Sequence, residues 1–230
     1  MAVGLGGEQL WLSPTVANNV NPFDDQSGQG NNGTGKGGIT TVADTGSGGS
    51  YAYYIDSFGQ RVESSGVAGV IPTSISMWAK RSAWNRGSIY RTDTNSDISF
   101  EYNTVTYTAA GGSPQVATSL PAAAWFHLAV VSVGGTSEVY IDGVLTYTIT
   151  TAAPYAITGY LSFGNYDYTH IPYIGDLYID DCRLYDRSLT QSEITHLATS
   201  RGVLGPPGGA THYNPFKSHA FINDFQQRLR

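Results

Sequence analysis

Acidic side chains are the most direct source of chemistry in this chain, which carries 18 of them. Retaining cleavage of a glycosidic bond needs two carboxylates about 5 Å apart, one of them held protonated. On one strand, acids at i and i+2 or i+4 supply that pair on a shared face. A run of the form E-x-D-x-E would meet the requirement, and the chain contains none. Glu101 stands alone in "SFEYN", and Asp176 and Asp180 share a strand face in "GDLYIDD". The five histidines include no H-x-x-x-H pair, so zinc chemistry is not expected. No nucleophile-elbow glycine pattern anchors a Ser-His-Asp triad. The glycines of "GTGKGG" lack the spacing and the following helix of a phosphate loop. The residues therefore predict no enzyme.

Binding chemistry has better support. Trp84 in "SAWNRG" and Tyr166 and Tyr168 in "GNYDYTH" fall in predicted loops, where an aromatic face can stack on a sugar ring. Packing or a protein contact is the plainer role for such residues. Trp78 and Trp125 are expected in the core or at strand edges. The C-terminal stretch "THYNPFKSHAFINDFQQRLR" follows the linker "GVLGPPGGA" and holds Tyr213, Phe216, Phe221 and Phe225. Its Lys217, Arg228 and Arg230 face one acid, Asp224, in a chain of net charge -6. Phe221 and Phe225, four apart, align on one face of a short helix. Such a segment suits docking in a groove of a partner or a second copy, with the chain's own sandwich as the other host.

The elements that must position these residues are mostly strands. Gly (28) and Tyr (16) are abundant, which favours turns and half-buried strands. "YAYYID", "QRVESS", "TSISMWAK", "GSIYRT", "DISFEYN", "WFHLAVVSV", "GYLSFGN" and "GDLYIDDCRLYD" read as strands. In "TSISMWAK", Ile75, Met77 and Ala79 share one face, and Ser74, Ser76, Trp78 and Lys80 the other. "SEVYIDGVLTYTIT" reads as a hairpin turning at Asp142-Gly143. "RSLTQSEITHLATSRG" is the one helix, with T-x-x-E capping spacing at Thr190 and Glu193 and an apolar stripe of Leu189, Ile194 and Leu197. Residues 27–50 read as a long surface loop. The acidic balance gives no support to nucleic-acid binding. One cysteine, Cys182, allows no intrachain disulfide and reads as a buried thiol. No basic-then-apolar leader is seen in "MAVGLGGEQLWLSP", and no run of about 18 apolar residues spans a membrane.

Four ordered stretches, "DQSGQGNNGT", "ISMWAKRS", "WFHLAVVSVGGTSEVYIDGVL" and "GDLYIDDCRLYDRSLTQSEITHLA", resemble the laminin-G-like, concanavalin A-like jelly-roll family. The resemblance implies an all-β fold, a two-sheet antiparallel sandwich with one short C-terminal helix, over residues 1–203. A Gly/Pro linker at 204–210 and a docking tail at 211–230 follow. It further implies that the Asp25 loop and the Asp181 strand meet around a calcium ion held by Asp25, Asn31 and Asp181, oxygen ligands of the kind that ion takes. Family members bind sugars or proteins, or occur in phage virions. The expected function is thus a non-enzymatic structural protein of a large assembly, a phage capsid decoration or tail-associated protein. It would be located in the virion, with homo-oligomeric and virion partners. The alternative is a carbohydrate-binding adhesin, extracellular or on a cell surface.

Overall fold

The computed structural model describes residues 5, 7–14, 21–43, 51–82, 86–94, 96–101, 104–108, 115–117, 120–121, 123–133, 135–150, 154–164 and 176–200. Fifteen strands and one helix lie in them. The strands are β1 (Glu8–Leu12), β2 (Thr34–Lys36), β3 (Thr40–Ala43), β4 (Tyr51–Ile55), β5 (Arg61–Ser64), β6 (Ser74–Arg81), β7 (Arg86–Thr92) and β8 (Asp97–Glu101). They continue with β9 (Thr104–Thr108), β10 (Gln115–Ala117), β11 (Phe126–Val133), β12 (Thr136–Ile141), β13 (Val144–Thr150), β14 (Leu161–Gly164) and β15 (Leu177–Tyr185). The helix is α1 (Gln191–Thr199).

The strands form two antiparallel sheets. One runs β13-β12-β11-β6-β15-β4-β3, with β1 also paired to β15; the other runs β10-β9-β8-β7-β14-β5-β2. Period-two patterning turns one face of each sheet inward. Ile75, Met77 and Ala79 of β6, Phe126, Leu128 and Val130 of β11, and Leu177 and Ile179 of β15 meet Tyr90, Ile98, Phe100, Val105 and Phe163 of the other sheet in a single core. This is the sandwich expected from the sequence.

The outer face of the first sheet is used twice. Ala129, Val131, Tyr140 and Tyr185 form a second apolar cluster beneath Ile194 and Leu197 of α1. This explains why "WFHLAVVSV" is apolar on both faces. The helix starts with the anticipated capping box: the Thr190 hydroxyl accepts from the Glu193 N–H, and the Glu193 carboxylate accepts from the Thr190 N–H. Arg187 pairs with Glu193 at 2.7 Å and ties the cap to the strand end. The hairpin turns where its Asp-Gly pair predicted. Asp142 and Gly143 both take positive φ, 50° and 79°, as a type I′ turn requires.

One expectation needs correction. Residues 27–50 are not wholly loop: Thr34–Lys36 and Thr40–Ala43 pair with β5 and β4. Both strands are short, glycine-flanked and at sheet edges, so they carry little hydrophobic pattern to read. β1 also escaped the sequence reading. It is fixed by pairing to β15, more than 170 residues away, and no local signal announces such a partner.

Candidate functional site

Strand β15 organises two polar groupings, one on each side of a bulge. Its register against β6 shifts between Asp180 and Arg183, and Asp181 takes φ 52° there. A left-handed residue at a bulge re-aims its neighbours, and aspartate tolerates that conformation better than most. Cys182 then points into the core, where it is a buried thiol.

C-terminal to the bulge lies a buried knot. Arg183 donates from Nε and Nη2 to the two Asp181 oxygens at 2.9 and 3.0 Å. Its guanidinium carbon sits 4.0 Å from the centroid of the Trp11 ring. Burial works against the Arg183 charge, but Asp181 and Tyr185 together outweigh it and leave the pKa above the ordinary arginine value. The Trp11 indole donates to Asp181 Oδ1, and the Trp11 backbone N–H donates to Asp25 Oδ1. The Asp25 loop and the Asp181 strand therefore meet, as anticipated, with Trp11 between them.

These residues do not suit a calcium ion as they stand. Asp25 also accepts from Ser27 N, Ser27 Oγ and Asn31 N at 2.7–2.9 Å, which occupies the four acceptor positions of a carboxylate. Asp181 is neutralised by Arg183. The Asn31 side-chain amide donates to the Gln9 carbonyl, and Asn31 Oδ1 crowds Gly66, where an added Cβ would lie 2.5 Å away. Among the described residues, no group of three or more His, Cys, Asp or Glu side chains is placed to hold a metal.

Nor do Asp176 and Asp180 form a carboxylate pair. Asp180 is fully buried and accepts from Ser13 Oγ and the Asp181 N–H. Asp176 is exposed and accepts from the Tyr54 hydroxyl at 2.8 Å. The side chain of Glu101 lies outside the described residues, as do Trp84, Tyr166 and Tyr168 and all of 201–230, with Tyr213, Phe216, Phe221, Phe225, Arg228 and Arg230.

N-terminal to the bulge, the same strand carries a half-buried aromatic shelf. Tyr178 pairs across the sheet with Tyr54 on one side and Lys80 on the other. Phe126 pairs with Ala79, so the next position, Trp125, continues the row beyond Lys80. Inward packing of Ile179 and Ala79 forces Tyr178 and Lys80 outward by the two-residue period. The rings of Tyr54 and Tyr178 are 5.0 Å apart, and those of Tyr178 and Trp125 6.4 Å. The Lys80 ammonium lies 4.5 Å from the Tyr178 centroid and 5.7 Å from that of Trp125. The hydrogen bond to Asp176, more than burial, pushes the Tyr54 hydroxyl pKa up to about 12; its one proton is held by Asp176, and its oxygen remains an acceptor.

The ends of the row are held firmly. Buried Arg81 donates from Nη2 to the Leu120 carbonyl, and the Ala123 N–H donates to the Arg81 carbonyl, which sets the segment entering Trp125. The Ser82 N–H donates to the Asp176 carbonyl. Sequence reasoning missed the shelf because Tyr54, Lys80, Trp125 and Tyr178 come from four separated segments. The alternation in "TSISMWAK" did place Lys80 on the outward face. Trp78, also outward, is covered instead: its indole donates to the Leu197 carbonyl of α1.

The fold is similar to that of several toxin binding domains. The receptor binding domain of botulinum neurotoxin C/D mosaic serotype matches at TM-score 0.64 and 16% identity, covering 84% of this chain and 51% of that one. The binding domain of Paraclostridial Mosquitocidal Protein 1 matches at TM-score 0.66 and 14% identity, covering 84% and 52%. A structure of botulinum neurotoxin type C, whose access to cells depends upon interaction with two ganglioside molecules, matches at TM-score 0.64 and 18% identity, covering 84% and 50%. The chain thus spans about half the length of these structures, and the likeness is one of fold. No curated protein matches the chain. The family model described as the concanavalin A-like lectin/glucanases superfamily matches residues 59–195, more than half of the chain, and the protein belongs to that family.

Proposed function

We propose that this protein is a non-catalytic, lectin-like binding module that takes a glycan across the row Tyr54, Tyr178, Lys80 and Trp125. One observation carries the reading. Three aromatic rings stand half-exposed in a single cross-strand row, rimmed by a phenol, a carboxylate and an ammonium. Sugars present apolar C–H faces and polar hydroxyl edges, and a row of aromatic rings, inclined by 38° and 62° to one another, with polar groups at its rim matches both. Strands about 4.8 Å apart make a four-strand row about 14 Å long, room for two or three sugar rings. The ganglioside dependence of a structural neighbour supports the same ligand class. The separation of Asp176 from buried Asp180 supports a role without hydrolysis.

The test is retention on a glycan array, wild type against Tyr178→Ala. Binding that the variant loses, with an unchanged melting curve, is the expected result. Equal retention of the two proteins would overturn the shelf as the site. A structural role in a phage particle is the second reading. Its support is the resemblance alone, because the tail that would dock lies outside the described residues.

A further inference from the structure

Resting on that reading, we infer that the glycan is anionic, bearing a carboxylate or a sulfate that Lys80 receives. Three described arginines of this chain are matched by acids. Arg61 pairs with Glu63, Arg183 with Asp181 and Arg187 with Glu193. Among the described residues Lys80 makes no ion pair, and its ammonium lies over the rings of Tyr178 and Trp125. Asp176, two residues before Tyr178, accepts from the Tyr54 hydroxyl; burial first, and then the Asp176 charge, raises the Tyr178 pKa.

A lysine stem lying over aromatic faces is ordered in advance, so little side-chain entropy remains to be lost on binding. Its charge rests against ring quadrupoles, an attraction worth less than a charge-assisted hydrogen bond. A neutral sugar stacked on Tyr178 or Trp125 would leave the ammonium with those rings. A sugar carrying an acidic substituent would add a charged partner at the centre of the row, flanked by a ring on each side. The surrounding molecule does not attract anions in general, because its net charge is -6. Selection must therefore come from this one cation at short range, and an extended polyanion gains nothing further from the body. Nucleic acid is disfavoured on the same ground.

The experiment uses the full chain and an array of matched glycans, each core presented neutral, with a carboxylate-bearing sugar, and with a sulfate ester. Wild type should favour the charged member of a pair about tenfold, the size of one hydrogen bond to a charged group. The carboxylate and sulfate arms distinguish the two sources of charge. Lys80→Gln should bring the ratio of charged to neutral binding to about one, and Lys80→Arg should keep the preference. Equal binding of charged and neutral members by wild type, or a preference that survives Lys80→Gln, would overturn the inference and leave the shelf reading intact. Failure to retain any glycan would overturn both.

Discussion

Two of the contacts that set a cation against an aromatic ring on the first sheet differ in burial, and β15 contributes to both. At one, Arg183 lies 4.0 Å from the Trp11 ring centroid; at the other, Lys80 lies 4.5 Å from that of Tyr178. The first pair is fully buried and its charge is cancelled by Asp181. The second is half-exposed and its charge is not cancelled by an ion pair among the described residues. The same contact thus serves opposite ends. Inside, a buried cation is tolerated only with a partner, so Arg183 and Trp11 donate to Asp181 and the knot locks the bulge, β1 and the Asp25 loop together. Outside, unspent capacity is what a ligand can use.

The comparison breaks most visibly at Arg183. Arg183→Met leaves Asp181 buried without its partner and should cost about 3–5 kcal/mol. Urea unfolding should show it, whereas Lys80→Gln should move stability by less than about 1 kcal/mol. Similar losses for the two variants would erase the distinction.

A pH effect sharpens the picture of the buried side. His127, fully buried on the outer face of β11, meets Ser76 Oγ through Nε2 at 2.8 Å and packs on Trp78. Burial, helped by the charge of Arg183, pushes its pKa down to about 3. The unfolded chain takes that proton below about pH 6.5. The stabilisation is therefore fully present above about pH 6.5 and is lost as pH falls towards 3. At pH 4.5 the loss should be roughly 2–3 kcal/mol. His127→Gln should show an acid-side slope shallower by that amount in denaturation at a series of pH values; an unchanged slope would show that the imidazole is protonated in the fold.

The helix beside the shelf gives a smaller effect. Thr190→Ala removes the cap and should cost about 1 kcal/mol, or about 2–4 °C in Tm for a domain of this size. Glycan retention should not change, because α1 covers Trp78 and not the row. The smallest effect concerns calcium. With Asp25 saturated by protein donors and Asp181 by Arg183, melting curves in chelator and in millimolar calcium should coincide. A rise in Tm with calcium that Asp25→Ala abolishes would restore the ion expected from the resemblance.

Local patterns in the chain determined much of the fold. Two-residue alternation in "TSISMWAK" set which side chains of β6 face inward, because a one-residue slip would expose Ile75, Met77 and Ala79 together. Asp142-Gly143 determined a turn through the positive φ that the pair tolerates, and Thr190 with Glu193 determined where α1 starts. The absence of a carboxylate run was also legible directly. Tertiary structure alone decided the sites. Trp11 comes between Asp25 and Asp181 only because β1 pairs with β15, and its two N–H groups then occupy oxygens that the resemblance reserved for an ion. Tyr54, Lys80, Trp125 and Tyr178 become one row only through the order of β4, β15, β6 and β11 in the sheet. Strand order depends on which edges find each other across long separations, and no residue carries that information locally.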